Sequence, residues 1–137
     1  MIQINKKRKV ILAGAGPGDP DLISLKALKY LQIADVVLTD RLVSPNLIEE
    51  YARKDAQVIY VGKQCSKGIW TPQSDINNLM VEFALQDKLV LRLKGGDASL
   101  FSNVLDELQA IKNNNIPYEI IPGISAAFGA AAYSGIP

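Results

Sequence analysis

The chain alternates between short apolar runs and longer segments whose apolar residues recur at helical spacing. Short runs of this kind are typical of strands in a parallel sheet, where both faces are covered. Each run stops at glycine, proline or a charged residue, which marks the strand end. The predicted strands are residues 10–13, 35–39, 57–61, 89–93 and 118–121.

Apolar residues three or four positions apart predict amphipathic helices between these strands. Leu22, Leu25, Leu28 and Leu31 predict a first helix that covers the sheet, with Asp21 as its N-cap. Residues 64–72 show little periodicity and predict a surface loop. The further predicted helices are residues 45–52, residues 73–86, a segment marked by Phe101, Val104, Leu105, Leu108 and Ile111, and the alanine-rich residues 125–133, which are expected to pack closely.

Strands that alternate with helices imply right-handed crossovers and an α/β fold. We expect three layers, with a mostly parallel five-stranded sheet flanked by helices. A length of 137 residues corresponds to a single domain.

Composition excludes several classes of function. With 15 basic and 14 acidic residues, the chain has no basic stripe and we expect no nucleic-acid partner. No apolar run approaches the roughly 20 residues that span a bilayer, so we expect no membrane segment. The cluster from Lys6 to Lys9 is interpreted as a solvated lead-in to the first strand, because the apolar run after it is too short for a signal peptide.

The residues available for chemistry are also restricted. The sequence has no histidine, which excludes histidine acid–base catalysis and the usual zinc-hydrolase sites, and we expect no metal. The single cysteine, Cys65, cannot form an internal disulfide. The cytoplasm is the simplest location.

Glycine turns and charged residues follow the predicted strands, at residues 14–19, Asp40, Lys63, residues 95–97 and residues 123–125. The carboxyl ends of parallel strands meet at one edge of a sheet, where ligands bind in open α/β folds. The sequence therefore gathers these five places along one edge.

The first turn, Gly14 to Asp19, differs from a dinucleotide fingerprint. Asp19 occupies the place of the third glycine, and Pro17 lacks an amide hydrogen, so a pyrophosphate would lose a donor and meet a carboxylate. The turn favours a ligand without phosphate, although the same residues also suit a turn that binds nothing. Asp40 could bind a ribose hydroxyl or act as a general base, or it could form only a surface pair with Arg41 or cap a helix. Lys63 is similarly either a residue of the ligand site or a solvated surface charge.

Five strings in this order resemble the tetrapyrrole methylase family over nearly all of residues 9–137. They are VILAGAGPGDPDLISLKAL, ADVVLTDRLVS, VIYVGK, LVLRLKGGD and IPYEIIPGISAAFGAAAYSGIP. The pattern is most like that of uroporphyrinogen-III C-methyltransferases. The resemblance implies methyl transfer from S-adenosylmethionine (SAM), a cofactor without phosphate, to uroporphyrinogen III, giving precorrin-2 and S-adenosylhomocysteine.

The resemblance also implies roles for individual residues. Asp40 matches the proton acceptor and Lys63 the proton donor. The intact protein is expected to be a homodimer that takes a tetrapyrrole as its small-molecule partner. The positions that match the cofactor-binding residues are Pro17, Gly95, Gly96, Asp97, Leu100, Ser125 and Ala126.

Departures from the family pattern, which include the absence of the usual histidine in the loop after Lys63, leave alternatives open. Residues 95–107 lack the family's arginine and its flexible glycine turn, which leaves a methylase of a later corrin intermediate, or a ligand-binding domain without catalysis, as other interpretations. Family members continue past the position of Pro137 into a second domain. We therefore expect residues 1–137 to be the N-terminal domain alone, inactive when isolated and with an exposed apolar face.

Overall fold

A computed structural model describes residues 8–64 and 68–136 of the chain and has a parallel sheet at its centre. In chain order the elements are β1 Lys9–Gly14, a 3₁₀ turn Pro20–Leu22, α1 Leu25–Ile33, β2 Val36–Thr39, α2 Pro45–Tyr51, β3 Gln57–Tyr60, β4 Lys63–Gln64, β5 Ile69–Trp70, α3 Gln73–Leu85, β6 Leu89–Lys94, α4 Val104–Asn113, β7 Tyr118–Ile121 and α5 Ala126–Tyr133.

The main sheet has the order β3-β2-β6-β1-β7, and all of its strands are parallel. Helices α1 and α2 cover one face and α3 and α4 the other, which confirms the predicted three-layer α/β fold. Alternation along β1 explains the two cores: Ile11 packs on the side of α1, and Leu12 on the side of α3. The chain leaves the neighbouring strands β1 and β6 toward opposite faces, and ligands bind at such a point in open sheets.

The first predicted helix is wrong in detail. The first helix begins later than predicted, with Ser24 rather than Asp21 as its N-cap, and Ser24 Oγ accepts a hydrogen bond of 3.2 Å from Ala27 N. The leucine stripe does not form one buried face, and Leu25 is exposed. A spacing of three residues rotates by about 60° per step on a helix of 3.6 residues per turn, so the stripe drifts off the sheet.

The predicted loop at residues 64–72 contains an antiparallel hairpin, since Lys63 pairs with Trp70 and Gln64 with Ile69. Strands of two residues are too short to show a periodicity. Cys65, Lys6 and Lys7 lie outside the described residues.

The last two helices also differ from the predictions. Phe101 precedes α4 and is fully exposed, Leu105 is exposed as well, and the buried face of α4 includes Glu107. Helix α5 packs closely at one position alone, because Gly129 is its only buried residue.

Lys9 is not a solvated lead-in residue. Its ammonium lies 3.2 Å from Glu119 Oε2 and donates to the Tyr30 hydroxyl, which in turn donates to Glu119 at 2.8 Å. Lys26 forms a further ion pair with Glu119. These contacts tie β1 and α1 to the edge strand β7.

The Glu119 cluster predicts a loss of stability in acid. The hydrogen bond from Lys26, with those from Tyr30 and Lys9, lowers the pKa of Glu119 from 4.5 to about 2. A carboxylate with a lowered pKa stabilises the fold above pH 4.5, and that contribution is lost as the pH falls toward 2. We expect the wild type to lose about 1–2 kcal/mol more than Glu119→Gln over this window, given the screening at exposed Lys26. Urea unfolding at pH 7, 4.5, 3 and 2 measures the difference, and parallel curves for the two proteins would contradict it.

Candidate functional site

Three glycine turns, after β1, β6 and β7, meet backbone to backbone at the carboxyl edge of the sheet. Gly16 and Gly96 exchange two hydrogen bonds, of 3.1 and 2.7 Å. A Cβ on Gly14 would collide with the Gly96 carbonyl oxygen and lie 2.9 Å from Gly123 Cα. A Cβ on Gly123 would meet the same oxygen and the Gly14 backbone. We call Gly14, Gly96 and Gly123 the glycine junction; only residues without side chains allow this approach.

The side chain of Asp97 stabilises the glycine junction through hydrogen bonds. Its Oδ2 accepts a hydrogen bond of 2.9 Å from Gly123 N, and its Oδ1 accepts one of 2.8 Å from Ser99 N. The carboxylate thus links the turn after β6 to the turn after β7. Asp97 is therefore a structural link in this part of the site, whatever it also contacts.

A cavity of about 540 Å³ opens above the junction, a size typical of small-molecule sites. Eight of the nine residues singled out in the sequence line it: Pro17, Asp40, Gly95, Gly96, Asp97, Leu100, Ser125 and Ala126. Their individual roles stay predictions. The ninth, Lys63, has its backbone in β4, and nothing is described of its side chain.

Ser125 carries an unpaired hydroxyl into this site. The residue is only 6% exposed, and its Oγ has no hydrogen-bond partner among residues 8–64 and 68–136. Buried hydroxyls are nearly always hydrogen-bonded in folded proteins. Since Ser125 lines the cavity at the start of α5, its hydroxyl is available to a bound molecule.

Asp40 lies where this cavity meets a second one of about 360 Å³. Its Oδ1 accepts a hydrogen bond of 3.0 Å from Leu42 N, which orients the carboxylate. A Cβ on Gly62 would lie 3.9 Å from Asp40 Cβ, so the chain enters the hairpin beside this residue. The second cavity continues along the hairpin, past Arg41 and Trp70.

A cluster of buried charges adjoins the first cavity. Glu107 is fully buried, with Arg92 Nε 3.1 Å from its Oε1 and Lys94 Nζ 2.6 Å from its Oε2. Lys94 also donates to Ser102 Oγ at 2.8 Å. Burial lowers the pKa of Lys94, and the nearby carboxylate of Glu107 opposes that shift. We call Arg92, Lys94 and Glu107 the buried ion cluster.

Sequence reasoning missed the buried ion cluster, although a signal was present. Arg92 and Lys94 are two positions apart in a central strand, so they share one face of the sheet. Two cations on a covered face require an anion from the helix above, and Glu107 on α4 supplies it.

The described residues show neither a membrane-spanning helix nor a metal-binding group. No helix within residues 8–64 and 68–136 combines the length and apolar character needed to cross a bilayer. Nor does this part of the chain bring together three or more carboxylate or cysteine side chains in a way that could hold a metal ion.

Comparison with known proteins identifies the family. A model described as Tetrapyrrole (Corrin/Porphyrin) Methylases matches residues 9–137. The chain is 51% identical over 128 residues to a siroheme synthase of Vesicomyosocius okutanii, covering 93% of this chain and 27% of that protein.

Solved structures give the same result. A uroporphyrin-III C-methyltransferase from Thermus thermophilus matches with a TM-score of 0.81 and 36% identity, over 98% of this chain and 55% of that one. A structure of the Thermus protein complexed with S-adenosylhomocysteine matches with a TM-score of 0.74 and 35% identity, over 94% of this chain and 49% of that one. This chain thus spans about a quarter of the siroheme synthase and about half of the solved methyltransferases. The chain belongs to the tetrapyrrole methylase family.

Proposed function

We propose that the chain is the N-terminal domain of a SAM-dependent C-methyltransferase that converts uroporphyrinogen III to precorrin-2. The observation that carries the proposal is the meeting of three strand-end turns around one cavity of about 540 Å³. The S-adenosylhomocysteine in the related Thermus structure supports SAM as the cofactor.

The cavity fits a cofactor of this kind. SAM has no phosphate, so it does not need the phosphate contact that the missing amide hydrogen of Pro17 would have made. The unpaired Ser125 hydroxyl provides a hydrogen-bonding group for the polar parts of the molecule. Bound SAM supplies the methyl group. The residues that we propose to hold it are Pro17, Gly95, Gly96, Asp97, Leu100, Ser125 and Ala126.

Asp40 and Lys63 are proposed to handle protons on the tetrapyrrole side. Asp40 lies between the two cavities, and the Leu42 amide orients one of its oxygens. A carboxylate so placed can accept the proton that a pyrrole carbon sheds after methylation. Lys63, in the strand that starts beside Asp40, is proposed as the donor.

The second cavity is proposed to take part of the tetrapyrrole. Arg41 is exposed and lines this cavity, and guanidinium groups bind carboxylates in a bidentate manner. Uroporphyrinogen III carries several carboxylates, so Arg41 provides a fitting partner. Asn103, which lines both cavities, stands in the segment that departs from the family pattern.

We also propose that a second domain completes the site and that residues 1–137 alone show no turnover. Several apolar side chains of α5 and its neighbourhood are exposed, among them Phe128 and Ile136, and such a surface is typical of an interface. A homodimeric assembly and a cytoplasmic location stay predictions.

The test uses the full-length protein that carries this chain. We expect calorimetric titration to detect binding of S-adenosylhomocysteine, and Asp40→Asn to lower kcat by about 10²–10⁴-fold with cofactor affinity unchanged. Asp87→Asn is the matched control, because Asp87 is exposed and lies two residues before β6, at the opposite, amino-terminal edge of the sheet.

Three results would contradict the proposal. Absence of cofactor binding at high micromolar ligand would exclude the proposed activity. Binding without methylation would favour a ligand-binding domain. A methylated later corrin intermediate, identified by mass spectrometry with uroporphyrinogen III left unchanged, would replace the substrate.

A further inference from the structure

Helix α5 holds the glycine loop after β1 at two points that are four residues apart on the helix. Pro17 contacts α5 at Gly129, and Asp19 contacts it at Tyr133. Residues four apart lie on the same face of a helix. The two contacts therefore act together on one short loop segment.

The Pro17 contact requires the absence of a side chain at position 129. A Cβ on Gly129 would lie 2.7 Å from both Cβ and Cγ of Pro17. Gly129 is buried, although most of α5 is exposed. The proline ring therefore rests directly on the helix backbone.

The Asp19 carboxylate accepts hydrogen bonds from two elements, helix α5 and the 3₁₀ turn. The Tyr133 hydroxyl donates to Asp19 Oδ2 at 2.5 Å, and Asp21 N donates to Oδ1 at 2.9 Å. The hydrogen bond from Tyr133 lowers the pKa of Asp19, which keeps it an ionised acceptor. The loop is thus fixed to α5 at the residue that also starts the 3₁₀ turn.

The loop needs such support because the backbone on either side of Pro17 is conformationally permissive. Gly16 has φ of 84° and Gly18 has φ of 126°, so Pro17 is flanked on both sides by glycines in the left-handed region. Glycine loses more conformational freedom on ordering than other residues. Contacts with α5 fix Pro17 at one position along the cavity wall.

The same helix forms the facing part of the wall. Ser125 and Ala126, at the start of α5, line the cavity together with Pro17. We propose that Gly129 and Tyr133 are positioning residues, which set the distance between Pro17 and Ser125 and so determine the affinity of the cofactor cavity. The inference rests on the proposed function for the identity of the cofactor.

The first test compares Tyr133→Phe, Gly129→Ala and the control Tyr118→Phe. Tyr118 is partly exposed at the opposite, amino end of β7, and its hydroxyl forms no hydrogen bond within the described residues. In the full-length protein we expect S-adenosylhomocysteine to bind about 3–10-fold more weakly to Tyr133→Phe, and more weakly still to Gly129→Ala. The KM for SAM should rise similarly while kcat at saturating SAM changes less than about 2-fold, a split that general destabilisation would not produce.

A double variant examines the contact itself. If Tyr133 acts through Asp19, Asp19→Asn combined with Tyr133→Phe should bind no more weakly than the more affected single variant. Additive losses would show that the two residues act separately and would overturn the inference.

Amide hydrogen exchange gives a readout that does not depend on the cofactor. In the full-length protein, the amides of Asp21 and Leu22, which donate to Asp19 at 2.9 and 3.0 Å, should exchange about 3–10-fold faster in Tyr133→Phe and at the wild-type rate in Tyr118→Phe. Unchanged exchange in Tyr133→Phe would overturn the inference. A wild type that binds no S-adenosylhomocysteine would overturn the proposed function, and the exchange result would still decide whether α5 holds the loop.

Discussion

Replacement of Glu107 with alanine is expected to lower the free energy of unfolding by about 3–5 kcal/mol. Arg92 and Lys94 are each 5% exposed, and the Glu107 carboxylate lies within 3.1 Å of one and 2.6 Å of the other. Its removal leaves two buried cations without their anion. Denaturant unfolding at neutral pH measures the change.

The matched control is Asp106→Ala. Asp106 and Glu107 both lie in the first turn of α4, so both substitutions remove a carboxylate from the positive end of the helix. Asp106 is exposed, and its loss should cost under about 1 kcal/mol. Equal losses for the two variants would show that the buried ion cluster contributes little.

Replacement of Gly14 with alanine is expected to cost at least about 3 kcal/mol and to abolish cofactor binding. The new Cβ would meet the Gly96 carbonyl oxygen and the Gly123 backbone. Backbone atoms cannot move aside as a flexible side chain can, so the strain falls on all three turns. Thermal unfolding, together with titration of S-adenosylhomocysteine, measures both effects.

The control Gly135→Ala separates the loss of stability caused by a steric collision from the loss caused by a left-handed backbone conformation. Gly135 has φ of 68° and no atom within 4 Å of its added Cβ, so its substitution costs only the left-handed conformation, about 1–2 kcal/mol. Gly14 is not in the left-handed region, and any larger loss there comes from the collision. A smaller loss for Gly14→Ala than for Gly135→Ala would contradict this account of the junction.

The sheet was predictable from the sequence because β1, β2 and β6 are buried on both faces and carry nearly continuous apolar runs. The amphipathic helices were less so, since exposed apolar residues such as Leu25 and Leu105 look the same in sequence as buried ones. The hairpin of β4 and β5 was missed because two-residue strands have no period.

The candidate site was predictable in its parts but not in its arrangement. The turns after β1, β6 and β7 could be located because glycine follows each strand. These three turns are neighbours because of the strand order. The pattern of apolar and polar residues along the chain does not reveal that order. The contacts of Tyr133 with Asp19 and of Glu107 with Lys94 depend on that order and on helix placement as well.

The central position of β1 affects the order in which the molecule can be assembled during synthesis. β1 pairs only with β6 and β7, where Val10 faces Val90 and Tyr118. Once synthesised, β1 therefore stays apolar and unpaired until residues about eighty positions later have emerged from the ribosome. β2 and β3 pair with each other much sooner. The ligand cavity forms later than this pairing, because the glycine junction requires the turn that follows β7.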